Sequence, residues 1–303
     1  MAQLQNELAE KEMVKKFRHD NTWMQELTAK NNWVGNDVIK IPRQGTDPVV
    51  LINNTVYPIN TYNHADDFIP VSLNKYETEN ESVTDDELYA LPYEKLSETQ
   101  LKHRETLEES CGAHSLFSIS IPKHTTNTPV LETTGENDGT GRKRLITQDL
   151  INLAVKLSAL KVPLQGRVIV LSAEHAGDLM SEDSNRAKSW GGDFQNGAQG
   201  IMHVGFKLYV ATYSPRYAKQ ADASDSNTVK WMRQGYEAIT GRMASICFYK
   251  RNAIKATGSV KRYAIDAASN PSRRQNELGF RIYAIAVGIK DEGFAAIVSA
   301  DAA

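Results

Sequence analysis

Two cysteines, Cys111 and Cys247, are all that 303 residues offer. They are too few for a disulfide framework or a cysteine zinc cage, so reduced thiols in an intracellular setting are expected. No apolar run approaches the ~20 residues needed to cross a bilayer, and residues 1–7 lack the basic patch and apolar stretch of a secretory leader. Charge of one sign is missing too: 35 basic residues stand against 37 acidic ones, a net charge of -2. That balance gives no reason for strong nonspecific binding to nucleic acid. Internal repeats and low-complexity tracts are absent, and 41% hydrophobic with 24% charged residues excludes a disordered or collagen-like chain.

Chemistry-bearing constellations are also scarce. Gly135, Gly139 and Gly141 beside Arg142, Lys143 and Arg144 fit neither phosphate-loop spacing, and they read as a flexible linker. Cys111, His114 and His124 lack a fourth metal ligand at usual spacing. Ser172, His175 and Asp178 share one short predicted helix without a GxSxG elbow, so Ser172 reads as a helix cap. The pairs Asp66-Asp67 and Asp85-Asp86 point apart in polar surroundings, a weak setting for acid–base work. This lack favours a protein that acts through shape and contact over a soluble α+β enzyme, and no catalytic residue, metal or cofactor is expected.

What the sequence does hold is an extended arm feeding a charged helix. Residues 49–52 and 55–57 predict two short strands around the turn Asn53-Asn54, with Val56 and Tyr57 on the second. The following stretch through Ile59, Tyr62, Phe68, Ile69 and Val71 is β-forming but too sparse in apolar residues for its own core. Such an arm needs a foreign surface, and another copy of the chain supplies one. Residues 1–33 begin with a helical stretch (Leu4, Leu8, Met13, Val14, Phe17), and Trp23 and Trp33 read as anchors for that arm. Thr84 and Glu87 predict a short capped helix ended by Pro92. A longer helix follows from Tyr93 to about Cys111, its apolar stripe confined to Leu96, Leu101, Leu107 and Cys111.

Alternation over 115–121 predicts a strand, and the Thr, Asn and Gly of 125–141 predict a boundary. Residues 145–160 predict a helix capped by Thr147, with Asp149 in its first turn and Leu150, Ile151, Ala154 and Leu157 on one face. A strand at 167–171, a helix at 172–180, a loop at 181–200 and a strand at 206–212 come next. Residues 227–242 suggest a short helix near Trp231. Strands are expected at 246–249, 260–265, 280–287 and 294–298, with 268–274 as a basic hairpin tip. Charge is divided along the chain: 77–109 holds 11 acids and 3 bases, 230–281 holds 11 bases and 3 acids. Two patches that meet across neighbouring subunits are one reading and solvated faces the other.

Taken together, GRVIVLSAEHAGDLM (166–180), GFKLYVATYSP (205–215), ICFYKRNAIKATG (246–258) and NPSRRQNELGFRIYAIAVGIKDEGFAAIVS (270–299) resemble the major capsid proteins of tailed bacteriophages. The likeness in sequence covers about the C-terminal half; before that it rests on the order arm, extended loop, long helix. It implies an α+β chain of the Hong Kong 97 type. The implied division is an N-terminal arm (1–33), an E-loop (34–80) and a peripheral domain with a spine helix (81–144), then an axial domain (145–258). A peripheral return with a P-loop (259–288) and a C-terminal axial strand (289–303) complete it.

By the same resemblance the chain self-assembles into hexamers and pentamers of an icosahedral head. Its partners are then further copies of itself, a portal, a separate scaffolding or decoration protein, and double-stranded DNA held by weak nonspecific contacts, with no membrane. It is expected in the virion, after assembly in the host cytoplasm. With only about 33 residues before the E-loop, scaffolding is expected from another protein. An encapsulin-like nanocompartment shell is the alternative. The subunit-interface residues expected are Val56, Tyr57, Lys75, Glu77, Glu79, Asn270, Arg273 and Arg274. Arg273 and Arg274 would pair with a neighbour's Glu77 and Glu79, and Lys75, Asn270 and Glu277 are placed in the crosslinking roles of some family members, in a local context that is not close.

Overall fold

A computed structural model describes residues 22–35, 37–43, 55, 57–58, 67–84, 95–182, 200–222, 225–270 and 272–302. In chain order the strands before the long helix are β1 (Thr28–Ala29), β2 (Val34–Gly35), β3 (Val38–Arg43), β4 (Asp67–Ser72), β5 (Asn74–Glu77) and β6 (Glu81–Thr84). Helix α1 (Lys95–Ile119), β7 (Val130–Glu132), α2 (Thr147–Ala159), β8 (Arg167–Leu171) and α3 (Ala173–Glu182) follow. The remaining strands are β9 (Ile201–His203), β10 (Phe206–Val210), β11 (Arg216–Asp222), β12 (Asp225–Arg233) and β13 (Arg242–Tyr249), then β14 (Ala253–Ile265), β15 (Gln275–Gly288) and β16 (Ala295–Val298).

The predicted run at 167–171 is β8, buried at every position because it is central in an eight-stranded sheet ordered β12-β11-β13-β8-β10-β9, with β16 on β13 and β7 on β16. Its alternate side chains serve opposite faces, as the two-residue period of a strand requires. Ile169 and Leu171 pack with Leu150, Leu153 and Leu157 of α2 and Leu179 of α3. Val168 and Val170 join Trp23, Leu116, Ile119 and Phe248 on the other side. A second sheet runs β1-β14-β15-β5, with β6 also on β15, and α1 covers it through Leu107 and Cys111 against Val260, Leu278, Phe280 and Ile282. Helix α1 therefore spans both cores. The third sheet, β2-β3-β4, leans on β14 through Ile39, Ile41 and Ile254.

Several sequence expectations are overturned. Residues 115–121 are not a strand: α1 continues through them to Ile119. Burial at Thr99, His103, Leu107, Cys111, Ser115, Leu116, Ile119 and Ser120 keeps helical spacing, which the apolar alternation mimicked over a few residues. The presumed boundary at 125–141 contributes β7 to the central sheet, parallel to β16. Trp231 lies on β12, not on a helix, with its indole Nε1 donating to Glu132 at 2.8 Å. Helix α2 is capped by extended Ile146, while Thr147 is its first residue and donates its hydroxyl to Glu182 at 2.6 Å. Asp149 is in the first turn as expected, but Leu153 takes the buried place assigned to Ile151, which is exposed.

The anchoring role of Trp23 holds: it is buried edge-on against Phe248 at 6.2 Å. Beside it Glu26 accepts from Lys207 (2.5 Å), Tyr209 (2.8 Å) and Lys250 (3.1 Å). Burial opposes the carboxylate charge, but these hydrogen bonds outweigh it and hold the group at about 2. The predicted hairpin around Asn53-Asn54, the short helix after Thr84 and most of the loop at 181–200 lie outside the described residues.

His175 ties three elements together, its Nδ1 2.7 Å from Ser245 Oγ and its Nε2 2.9 Å from Ser299 Oγ. Burial pushes the imidazole down to about 4. The folded chain thus resists a proton that the unfolded chain accepts near 6.5, so stability is intact above that pH and falls as pH drops from about 6.5 through 4, by on the order of 3 kcal/mol at most. Urea denaturation at pH 7 and pH 4.5 should show this loss in the wild type and a smaller pH dependence in His175→Gln.

Candidate assembly surface

Strands β14 and β15 form a long antiparallel ladder from Ala253↔Gly288 to Ile265↔Glu277, so residues 266–274 are a hairpin tip, as expected. Ser269 N and Arg274 N close the tip on Asp266 O and Asn270 O, both at 2.9 Å, and Ala267 N donates to Asn276 Oδ1 at 2.9 Å. Arg274 has φ 49°, in the left-handed region that an arginine adopts only when a turn demands it. Arg273, 67% exposed at its side chain, lies 3.3 Å from Glu277 of β15 in the same chain. Asn270 sits at the start of the tip, half-buried.

Beside this hairpin, Thr84↔Gln275 to Glu81↔Leu278 pairs β6 with β15, and β5 pairs further along, with Glu77 opposite Arg281 and Lys75 opposite Tyr283. Lys75 and Glu77 form an ion pair at 2.8 Å, which raises the lysine's affinity for its proton. Between the β5–β6 turn and α1 is a cleft of about 680 Å³ lined by Lys75, Glu77, Glu79, Glu81, Lys102 and His103, among others. The ring of His103 packs on Phe280 at 5.8 Å, and its Nε2 is 3.5 Å from Glu81 Oε2. Burial keeps the imidazole below its ordinary value. Sequence reasoning missed Glu81 and His103; the signal for His103 was its place on the stripe Thr99, His103, Leu107, Cys111.

The other expected surface is the arm. Strands β3 and β4 pair from Val38↔Ser72 to Arg43↔Asp67, and Phe68 and Ile69 are exposed on the second. Tyr57 is 73% exposed, while Val56 lies outside the described residues. The charge runs are not two compact patches. Arg233 binds Phe117 O (2.5 Å) and Ser120 O (2.7 Å) at the end of α1, Arg242 pairs with Asp301 at 2.7 Å and Lys250 with Glu26. Those three bases act within the subunit, while at the tip Arg274 is exposed and makes no ion pair among the described residues.

The residues weighed for chemistry are placed elsewhere. His114 Nδ1 meets Tyr76 OH at 2.8 Å, and His124 Nδ1 accepts from Val130 N at 2.9 Å, so the two do not converge with Cys111. Ser172 Oγ accepts from His175 N at 3.3 Å as a cap, and Asp178 is engaged by Arg142. Among the described residues no three His, Cys, Asp or Glu side chains are grouped to hold a metal, and no helix is long and apolar enough to cross a membrane. The segment 135–144, read as a flexible linker, is instead pinned: Lys143 N donates to Ala300 O at 2.9 Å and Arg144 N to Glu136 O at 2.9 Å.

No family model and no curated protein matches the sequence. Solved structures do. The capsid structure of the cyanophage P-SCSP1u aligns with TM-score 0.63 at 12% identity, covering 94% of this chain and 90% of that one. The capsid of Ralstonia phage GP4 aligns at 0.57 and 10% identity over 92% and 88%. A virus-like particle from Pyrococcus furiosus aligns at 0.56 and 9% identity over 96% and 98%. With that likeness over nine-tenths of its length, the chain has the α+β Hong Kong 97 type capsid fold of phage shell proteins.

Proposed function

We propose that this chain is the principal shell protein of an icosahedral phage head, assembling as hexamers and pentamers around double-stranded DNA. The observation that carries it is the likeness of fold, which spans at least nine-tenths of this chain and the cyanophage capsid chain alike. In this reading β3 and β4 are the legs of the E-loop, α1 is the spine of the peripheral domain, and the eight-stranded sheet is the core of the axial domain. The segment boundaries expected from sequence stand as part of the proposal, as do a portal, a separate scaffolding or decoration protein, and assembly in the host cytoplasm. Exposed Tyr57, Phe68 and Ile69 support the need for a second copy, since a shell covers them and a monomer leaves them wet. The basic tip, Arg273 and Arg274, is the surface that meets a neighbour's carboxylates, with Glu77 and Glu79 the pair expected from sequence.

Electron microscopy and size-exclusion chromatography of the expressed chain test the reading. Closed particles of uniform diameter are expected; a monomer at every concentration and salt tried defeats it. The Pyrococcus particle favours one second reading, a compartment of the same fold around another cargo. Nuclease treatment of purified particles followed by a nucleic-acid assay separates the two, protected DNA supporting the phage head.

A further inference from the structure

We infer that the cleft between the β5–β6 turn and α1 is the seat for Arg274 of a second copy, with Glu79 and Glu81 accepting from its guanidinium and His103 behind them. This rests on the shell reading above and refines its contact residues. Of the three glutamates in the cleft, Glu77 is already matched by Lys75 at 2.8 Å. Glu79 and Glu81 have no lysine or arginine partner among the described residues, and exposed Lys102 on the rim pairs with neither.

Glu81 faces only His103, and that contact is short of a hydrogen bond. His103 is 8% exposed, lines the cleft, and its Nε2 is buried without a hydrogen-bond partner. Neither carboxylate, Glu79 or Glu81, has a cationic partner among the described residues, and the imidazole 3.5 Å from Glu81 is kept neutral by burial. The pair lacks a donor carrying positive charge, and a planar guanidinium with several N–H groups meets two acceptors at once where an ammonium does not.

The same chain carries that donor in the right state. Arg274 is exposed and makes no ion pair among the described residues, whereas Arg273 is spent on Glu277. Its left-handed backbone places it in the turn that precedes β15. Within one copy Glu81 stands opposite Leu278, four residues from Arg274, roughly 13 Å along the strand. Tip and cleft are thus separate surfaces, and a contact between them on different copies is heterologous, the kind that builds a ring when the rotation between copies closes.

Two sets of variants test it. Glu81→Lys and Arg274→Glu should each cut the yield of particles by about tenfold at moderate salt, and the two together should restore it, since swapping the signs recreates the attraction. Co-assembled Glu81→Cys and Arg274→Cys chains should give linked multimers with a thiol-reactive crosslinker about as long as the two side chains it replaces, and neither chain alone should, because a direct disulfide would need Cα atoms within ~7 Å. The native thiols, Cys111 and Cys247, are both buried. The cysteine result stands even where Glu81→Lys harms folding. Normal particles from Arg274→Glu with no multimers from the cysteine pair overturn the seat and leave the shell reading standing. A wild-type chain that stays monomeric overturns both.

Discussion

Arg142→Ala should lower the free energy of unfolding by about 3 to 5 kcal/mol, measured by urea denaturation at pH 7, because it strands a buried carboxylate. Nη1 and Nη2 of Arg142 donate to Asp178 Oδ2 and Oδ1 at 2.6 and 2.9 Å, a bidentate pair with side chains 11% and 6% exposed. Nε adds Asp138 at 2.8 Å, and Asp178 also accepts Leu145 N at 3.0 Å. The Asp178 bonds raise the guanidinium above its ordinary value. The network locks α3 to the 135–145 segment, and through Gly141 O, which accepts from Ala302 N at 3.1 Å, to the C-terminal end. Arg142→Lys keeps the charge but loses the fork and should cost less, roughly 1 to 2 kcal/mol. Asp178→Asn placed on Arg142→Ala should recover part of the loss, as it removes the orphaned charge; a double variant as unstable as the sum of the singles refutes this account.

That hub also shows where sequence stops being legible. Arg142 and Asp178 are 36 residues apart, one in a Gly-rich stretch that local rules read as a linker, the other in a helix whose serine and histidine invited a different question. Nothing local joins them. By contrast β8, α2, α3, β15 and the second half of β14 could be read because their periods and breakers lie within each segment, although the cap of α2 is Ile146 and not Thr147. The last turns of α1 failed for a related reason: Leu116, Phe117, Ile119 and Ile121 alternate over a short window, and only the stripe from Thr99 onward reveals the helix. Strand β12 carries the polar residues of an edge strand, so its pattern was too weak to outvote a helical guess at Trp231.

The candidate surface was half legible. Arg273 and Arg274 between two β-forming runs announce a basic tip, and Glu77 and Glu79 an acidic neighbour. Which acids remain unmatched depends on β5 being a strand, which puts Lys75 and Glu77 on one face, and on the register that sets Glu81 opposite Leu278, and register is fixed by the whole sheet. His103 was hidden in the same way. A histidine on the buried face of a helix looks like packing until the strand opposite it is known to bring Glu81.

Arg167→Met should cost about as much as losing Arg142, roughly 3 to 5 kcal/mol, for a different reason: it leaves acceptors rather than a charge unsatisfied. Arg167 is 1% exposed and has no carboxylate partner among the described residues. Its Nε donates to Pro163 O at 3.0 Å, Nη1 to Ala154 O at 3.0 Å, and Nη2 to Val162 O at 2.7 Å and Ser158 Oγ at 3.0 Å. These oxygens gather at the C-terminal end of α2, where the helix dipole favours a cation. Burial lowers the guanidinium's ordinary value, and the ring of oxygens is what makes a charge tolerable there. Methionine fills the volume but leaves Pro163 O and Val162 O without a donor, each such loss worth about 1 to 3 kcal/mol. Since no ion pair is broken, the loss should be nearly the same at low and high salt. Helix α2 should open first, so amide exchange at 155–162 should accelerate more than in β13. Uniform acceleration through the eight-stranded sheet would mean that Arg167 holds the strand in place, and that its role at the helix end is secondary.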